Sequence, residues 1–578
     1  MLRAILTTTG AAAGLSYYAL FDLEVLGAAP VHLERFVIFA AAALFPAFGL
    51  LAGPVEPRRA GLAAAALALI LAGLATLFGA RFPEDERVLA PGEDGLLFGP
   101  FAAVLILSLP VLIAGLLAPG GWRQHGRVLP EAWMAAVKTL LALLFVGLFW
   151  MVFAVSEALL SLVGIDILED LRDWDPGPYL LSGLVTGAAL ATAAEMSRPL
   201  EAALGLVLRL LRLLLLPVTA VMTLFVAAIL VQGLSAVFEQ NSAAGTMMAM
   251  AAGAVILVVA ALALTEEAPA GALTVWSVRV LGVVLPVIAL IALYAIWLRV
   301  AQYGWSPTRV LAALSSGIVV LFTLPVTGAA LPGRPGWPAR TLQGMVYALL
   351  ATLAIGVAWF TPALDAQRIA AQSQFQRLIS GVADPLDYDF WPLARQWGVA
   401  GRRALASFEE TDPPEAVAAL IATARTQENR WQVSAAARER ANAELWDTLR
   451  SQVERLPATE DLPSAATFEP GAIDRLAGYD ANGACAATPT RCLAVAADIL
   501  TDRPGLEWLL IRQETPTSFV WSGVLSRNSD GLWSFRATAP PGSIREPFDV
   551  IAAVRDGAHR FEAPAVREFV AGPIRLSP

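Results

Sequence analysis

The chain has 578 residues, 57% of them hydrophobic and 15% charged, with a mean hydropathy of +0.63. A soluble globular domain carries about 25% charged residues, so a simple soluble enzyme is excluded. A net charge of −9 and a pI of about 5.1 also exclude a protein built mainly to bind nucleic acid, which needs a clustered basic surface.

The apolar residues concentrate in positions 1–361. That stretch holds 18 basic and 21 acidic side chains and leaves 22 and 28 for residues 362–578. A membrane-spanning helix needs about 20 mostly apolar residues. Eleven windows qualify, near 4–21, 34–53, 60–79, 97–118, 133–163, 178–194, 206–235, 246–264, 274–298, 310–331 and 341–360. The first is diluted by Thr7, Thr8, Thr9 and Gly10. With Arg3 ahead of it and Gly27, Ala28 and Ala29 behind, it also reads as a signal peptide, although Asp22 and Glu24 interrupt the approach to any cleavage site.

Positively charged loops stay in the cytoplasm. With the N-terminus inside, the cytoplasmic loops collect Arg58, Arg59, Arg123, Arg127, Arg198, Arg209, Arg212, Arg334 and Arg340. The opposite loops carry Glu84, Asp85, Glu86, Glu93 and Asp94, then Asp166, Glu169, Asp170, Asp173 and Asp175. Arg299 and Arg309 dissent, falling outside in this count. Eleven spans place the tail outside the cytoplasm. The chain's two cysteines, Cys485 and Cys492, agree with that side, because a close pair in a Gly/Pro-containing loop of an oxidising compartment reads as a disulfide.

After Pro362 charged and apolar residues interleave at helical spacing as far as Leu456, with a break at Asp412, Pro413 and Pro414. From about Pro463 short β-rich runs take over. TSFVWSGVLSR and LWSFRAT are divided by Asn528, Ser529, Asp530 and Gly531, a hairpin signal. FDVIAAVRD and HRFEAP read as a further strand pair.

The most informative stretch is YAIWLRVAQYGWSPTRVLAAL, residues 294–314. Arg299 and Arg309 bracket Gln302, Tyr303, Gly304, Trp305, Ser306 and Pro307, so a helix end, a turn and a new helix present guanidinium and aromatic groups together. Arginine grips phosphate or carboxylate bidentately. The plainer reading is an interfacial aromatic belt with snorkelling arginines. With KTLLALLFVGLFWMVFAVSEALLSLVGIDIL, SQFQRLISG and DFWPLARQWGVAGRRAL, this stretch resembles the bacterial membrane family called domain of unknown function 4153. The matching motif is Arg299, Gln302, Tyr303, Gly304, Ser306 and Arg309, with Trp305 and Ser306 where the family more often shows Leu and Thr. The resemblance covers most of residues 130–410. It implies a multi-spanning membrane protein of bacteria and no particular reaction.

Ionisable groups within spans are costly and often functional. Lys138, the chain's one lysine, sits near the cytoplasmic end of its helix, and Glu157 lies about 28 Å further along it. They cannot pair. Lys138 reads as a snorkelling residue and Glu157 as a buried, proton-sensitive group. Glu195, Arg209 and Arg212 read as boundary charges, and Gln232 as a bond to a neighbouring helix. Prolines 46, 110, 217, 286 and 325 favour kinks, as in transporters whose broken helices form sites, but no inverted repeat pairs them. No P-loop, zinc-protease or serine-hydrolase motif is present, and His32, His125 and His559 are dispersed. Asp387 and Asp389 without a third ligand make a weak cation site.

The expected architecture is a polytopic α-helical membrane protein of about eleven transmembrane helices (1–361), followed by a soluble α+β region made of an extramembrane helical region (362–462) and a small antiparallel β domain (463–578). The expected role is structural, accessory or sensing, in the bacterial cytoplasmic membrane and cell envelope, with a periplasmic or extracellular tail. The alternative is a transporter or channel for a small, anionic solute; a third reading is a membrane enzyme acting on a lipid-linked substrate. Membrane lipids, and envelope proteins met through the tail, are the expected partners, with no catalytic residue, cofactor, metal or nucleic acid.

Overall fold

The computed structural model describes residues 1–27, 29–83, 94–233, 243–263, 271–331, 335–426, 442–443, 445–451, 453–479, 491–499, 505–513, 515, 520–537, 548–558, 569–571 and 574–576. The acidic stretch 84–93, Arg334 and Cys485 lie outside these residues, and with Cys485 the expected Cys485–Cys492 bond. The chain divides into two units, Met1–Ile421 and Ala422–Pro578. The boundaries expected at 361/362 and 462/463 do not coincide with this division, because the helices directly after the last span pack on the bundle.

The first unit is built from long apolar helices: α1 (Leu2–Phe21), α2 (Val31–Leu51), α3 (Pro57–Gly79), α4 (Phe98–Leu117), α5 (His125–Ser161), the short α6 (Ile167–Asp173), α7 (Gly177–Glu195), α8 (Ser197–Gln232), α9 (Ala243–Ala263), α10 (Ala272–Tyr303), α11 (Pro307–Ala330) and α12 (Trp337–Phe360). Among the described residues ten of these, all but α1 and α6, are long and apolar enough to cross a membrane. In lipid there is little hydrophobic drive between helices, so close approach through small residues supplies the packing. Ala60, Ala64, Ala68, Ala72 and Ala75 form a buried stripe along α3, and Ala43 and Ala47 line the facing side of α2. All five prolines singled out above lie inside helices.

Helix α1 runs antiparallel to α7. A methyl group added at Gly10 would overlap the carbonyl of Gly183, one at Gly183 would overlap that of Gly10, and Gly14 and Gly187 are similarly closed by Tyr179 and Leu6. Gly183→Leu should therefore cost about 1–3 kcal/mol by overpacking, read as a lower thermal midpoint of the detergent-solubilised protein. Gly147→Leu on α5, where nothing lies within 4 Å, should leave the midpoint unchanged; equal behaviour of the two variants would refute the close crossing.

Helix ends that alternate crossing assigns to one side do meet. On the acidic side Tyr179 donates to Asp22 (3.4 Å), Trp359 at the end of α12 donates to the carbonyl of Leu96 just before α4 (2.8 Å), and Arg81 just past α3 reaches the carbonyls of Trp359 and Thr361. On the arginine side Gln343 of α12 accepts from the His125 amide (3.4 Å) and donates to the Arg123 carbonyl (2.7 Å).

Two further helices, α13 (Ala366–Ile379) and α14 (Gly398–Glu409), lie on the acidic side; α15 (Glu415–Thr426) follows. Ala366, Gln367, Ala370, Ala371, Gln374 and Leu378 form the buried face of α13, a helical stripe in a segment of otherwise polar character.

The second unit holds a five-stranded sheet in the order β1 (Glu454–Leu456), β2 (Cys492–Ala497), β3 (Glu507–Arg512), β4 (Trp521–Arg527), β5 (Trp533–Ala537), with α16 (Ala472–Tyr479) on it. It is mixed rather than purely antiparallel, since β1 pairs parallel to β2. The hairpin read at 528–531 forms: β4 and β5 pair antiparallel, Asn528 Oδ1 accepts from the amides of Asp530 and Leu532, and Gly531 takes φ +79°. The strand read in FDVIAAVRD is instead α17 (Val550–Arg555). Asp549 caps it by accepting from the Ala552 amide, and Ile551 and Val554, three apart, bury against Leu493, Val495 and Ile511. The Ala552 amide and the Arg491 guanidinium hold the Asp549 carboxyl below its ordinary range, so this cap is present at neutral pH and is lost as pH falls through that lowered value. HRFEAP lies outside the described residues. Strands β6 (Phe569–Ala571) and β7 (Ile574–Leu576) pair separately and antiparallel.

Candidate functional site

An α-helix leaves its last four carbonyls without partners inside the helix. In α10 those are Val300, Ala301, Gln302 and Tyr303, and each is met. The Gly304 amide donates to Val300 (2.7 Å), Arg377 of α13 donates to Ala301 (3.4 Å) and Gln302 (2.6 Å), and Gln374 of α13 donates to Tyr303 (2.9 Å). The second hydrogen of the Gln374 amide goes to the Trp305 carbonyl (3.0 Å), and the Trp305 amide donates to Ser373 Oγ (3.1 Å).

The turn is completed from its other half. Ser306 caps α11 by accepting from the Arg309 amide (3.3 Å), Arg309 donates to the Gly304 carbonyl (3.0 Å), and its guanidinium lies 5.5 Å from the centre of the Tyr303 ring. Arg299 sits one turn before the end of α10 and near Arg309. The backbone of 301–305, Ser306 and Arg309 are thus tied to helix ends and to α13. No phosphate or carboxylate is needed to account for Arg309. The dissent of Arg299 and Arg309 from the positive-inside pattern gains a local reason at Arg309: its guanidinium caps backbone.

A second node lies on the same side and was not foreseen. Arg81, with a side chain only 9% exposed, donates to Gln367 Oε1 (3.0 Å) and to the carbonyls of Trp359 (2.7 Å) and Thr361 (2.8 Å), and sits 3.9 Å from Asp365. Burial pulls its guanidinium below its ordinary value, while Asp365 acts the other way. The Arg81 carbonyl in turn accepts from the amide of Val399 at the start of α14 (2.9 Å). Gly398 (φ +55°) is needed there, because a β-carbon would overlap that carbonyl. In the segment leading into α14, Phe390, Trp391 and Trp397 are buried, and burial with Asp389 pushes the Tyr388 phenol above its ordinary value. Asp389 accepts from the Trp391 amide (3.0 Å). No group of three metal-ligating side chains occurs among the described residues.

Lys138 and Glu157 are not brought together. Lys138 is buried, with its ammonium beside Gly53 in the α2–α3 turn on the arginine side. Glu157 pairs with Arg172 of α6, which also bonds Asp173 (3.0 Å). It therefore has a permanent counter-charge, a partner that the apolar residues flanking it in sequence do not announce. A cavity of about 630 Å³ lies among α1, α2, α4, α5 and α7, lined by residues such as Leu6, Phe45, Leu105 and Leu190 with a few hydroxyls. It offers no charged group to a small anion. Burying an unpaired charge in such a site is costly.

No protein-family model, curated protein or solved structure matches the chain.

Proposed function

We propose that the chain is an integral protein of the bacterial cytoplasmic membrane, akin to the domain of unknown function 4153 family, that holds a folded C-terminal unit outside the cytoplasm as an envelope interaction or sensing module. In this reading α1 is a retained eleventh span, the N-terminus is cytoplasmic, and Cys485 and Cys492 are bonded. The observation that carries it is the hold of Ser373, Gln374 and Arg377 on the backbone of residues 301–305, within the Arg299–Arg309 motif, which fixes α13 on the bundle. A motif spent this way governs where the chain leaves the membrane rather than what it binds. The acidic and arginine-bearing sides, and the antiparallel α1–α7 pair, support the orientation.

A periplasm-active reporter fused after residue 365 is expected to be active. Activity of a cytoplasmic reporter at the same position would overturn the topology. Deleting 422–578 should leave the bundle inserted while removing whatever envelope phenotype the full chain supports; retention of that phenotype would return the role to the bundle and revive the transport reading.

A further inference from the structure

A cleft of about 680 Å³ opens on the acidic side, between the end of α3 and the outer faces of α13 and α14. Its lining joins the apolar Leu77, Ala80 and Phe375 to the side chains of Arg81, Arg368, Arg403, Gln372 and Ser407, with Arg81 the buried one of the three arginines. Asp365 is the one carboxylate in the lining, so three guanidiniums face a single acid there. Asp365 is moreover occupied, capping α13 through the Arg368 amide (3.0 Å) and lying beside Arg81.

The three arginines differ in what they have left to give. Arg81 is committed to the carbonyls and amide described above. Arg368 makes one long bond, to the Pro362 carbonyl (3.4 Å). Arg403 is exposed and has no hydrogen bond or ion pair among the described residues. Two guanidiniums that keep most of their donors thus border an apolar recess. Leu77, 53% exposed in the last turn of α3, places that recess at the edge of the hydrocarbon, where lipid phosphates lie. Arginine binds phosphate through paired hydrogen bonds as well as charge.

We propose that this cleft binds the headgroup of an anionic phospholipid from the leaflet on this side, with its phosphate between Arg368 and Arg403 and its glycerol and first methylenes against Leu77, Ala80 and Phe375. The site is independent of what the C-terminal unit does.

The test is native mass spectrometry of the delipidated full-length protein, titrated with phosphatidylglycerol or with phosphatidylcholine of the same acyl chains. Each arginine near an anionic lipid is worth about fivefold in retention, so Arg368→Gln/Arg403→Gln should retain phosphatidylglycerol about thirtyfold less than the wild type. Arg58→Gln/Arg59→Gln, exposed at the opposite end of α3 and outside the cleft, should lower retention of phosphatidylglycerol less than the cleft variant does. Both variants alter exposed side chains, and a thermal midpoint unchanged from the wild type confirms that each is folded. Equal retention by the cleft variant and the wild type would overturn the proposal, as would equal retention of the two lipids by the wild type. Displacement of the lipid by millimolar inorganic phosphate would make a free anion the ligand and overturn the lipid assignment.

Discussion

Arg81→Met is expected to destabilise the intact protein by about 3–5 kcal/mol, the range for removing one member of a buried, hydrogen-bonded charged group. Methionine keeps most of the stem's volume but none of the donors. It would strand the carbonyls of Trp359 and Thr361 and the Oε1 of Gln367, residues about 280 positions away in sequence. Because Gln367 is fully buried, water cannot readily replace the lost donor there. Arg81→Lys should fall between, since one ammonium cannot span three acceptors on different elements. The thermal midpoint in detergent measures the loss, and limited proteolysis between α12 and α14 locates it. An Arg81→Met midpoint equal to that of Arg368→Gln, which removes an exposed arginine with a single long bond, would refute this role.

Arg81, Arg309 and Arg377 share a logic that the sequence states only in part. Each lies on the acidic side, where orientation rules make arginine unexpected, and each donates to backbone carbonyls at a helix end. An arginine on the wrong side of the charge pattern is thus a legible signal of a capping role. At residues 299–309 the anomaly is visible in the sequence, but an interfacial belt with snorkelling arginines and a ligand-gripping pair both fit it, and neither is a cap. At Arg81 the acidic residues that follow hid it. The spans themselves were legible because twenty apolar residues have few other uses in a chain, and the glycine pairs of α1 and α7 were not, because close approach depends on two helices whose contact no local pattern encodes.

The tail shows the same division between local and non-local information. Asn528 to Gly531 specifies its turn through its own side chains and a positive φ, so the hairpin was readable. FDVIAAVRD alternates well enough for a strand, but Asp549 at its start and Gln513 just after β3, whose Oε1 accepts from the Val550 amide (2.8 Å), close a helical turn instead. A tertiary hydrogen bond decided between two local possibilities. Glu157 is a parallel case: the helix around it is mostly apolar, and its partner Arg172 comes from a separate short helix.

Gly304→Ala should cost about 2–5 kcal/mol, through two additive causes. The residue sits at φ 74°, ψ 177°, a region nearly reserved for glycine, where any side chain costs about 1–3 kcal/mol. Its β-carbon would also lie 2.6 Å from Gln374 Nε2 and 2.7 Å from Arg377 Cδ, forcing both away from the α10 carbonyls they serve. Gly336→Ala separates these causes, because Gly336 has φ 66° but nothing within 4 Å of an added carbon; it should cost only about 1–2 kcal/mol. The double variant Gly304→Ala/Gln374→Ala carries the sharper test. Removing the side chain that the methyl strikes should make the pair cost less than the sum of the single variants, as expected for residues in contact. Hydrogen exchange should show the amides of 366–379 losing protection in Gly304→Ala and not in Gly336→Ala. Strict additivity, with α13 protected throughout, would mean that the turn and α13 are merely neighbours, and would free the arginine motif for a ligand.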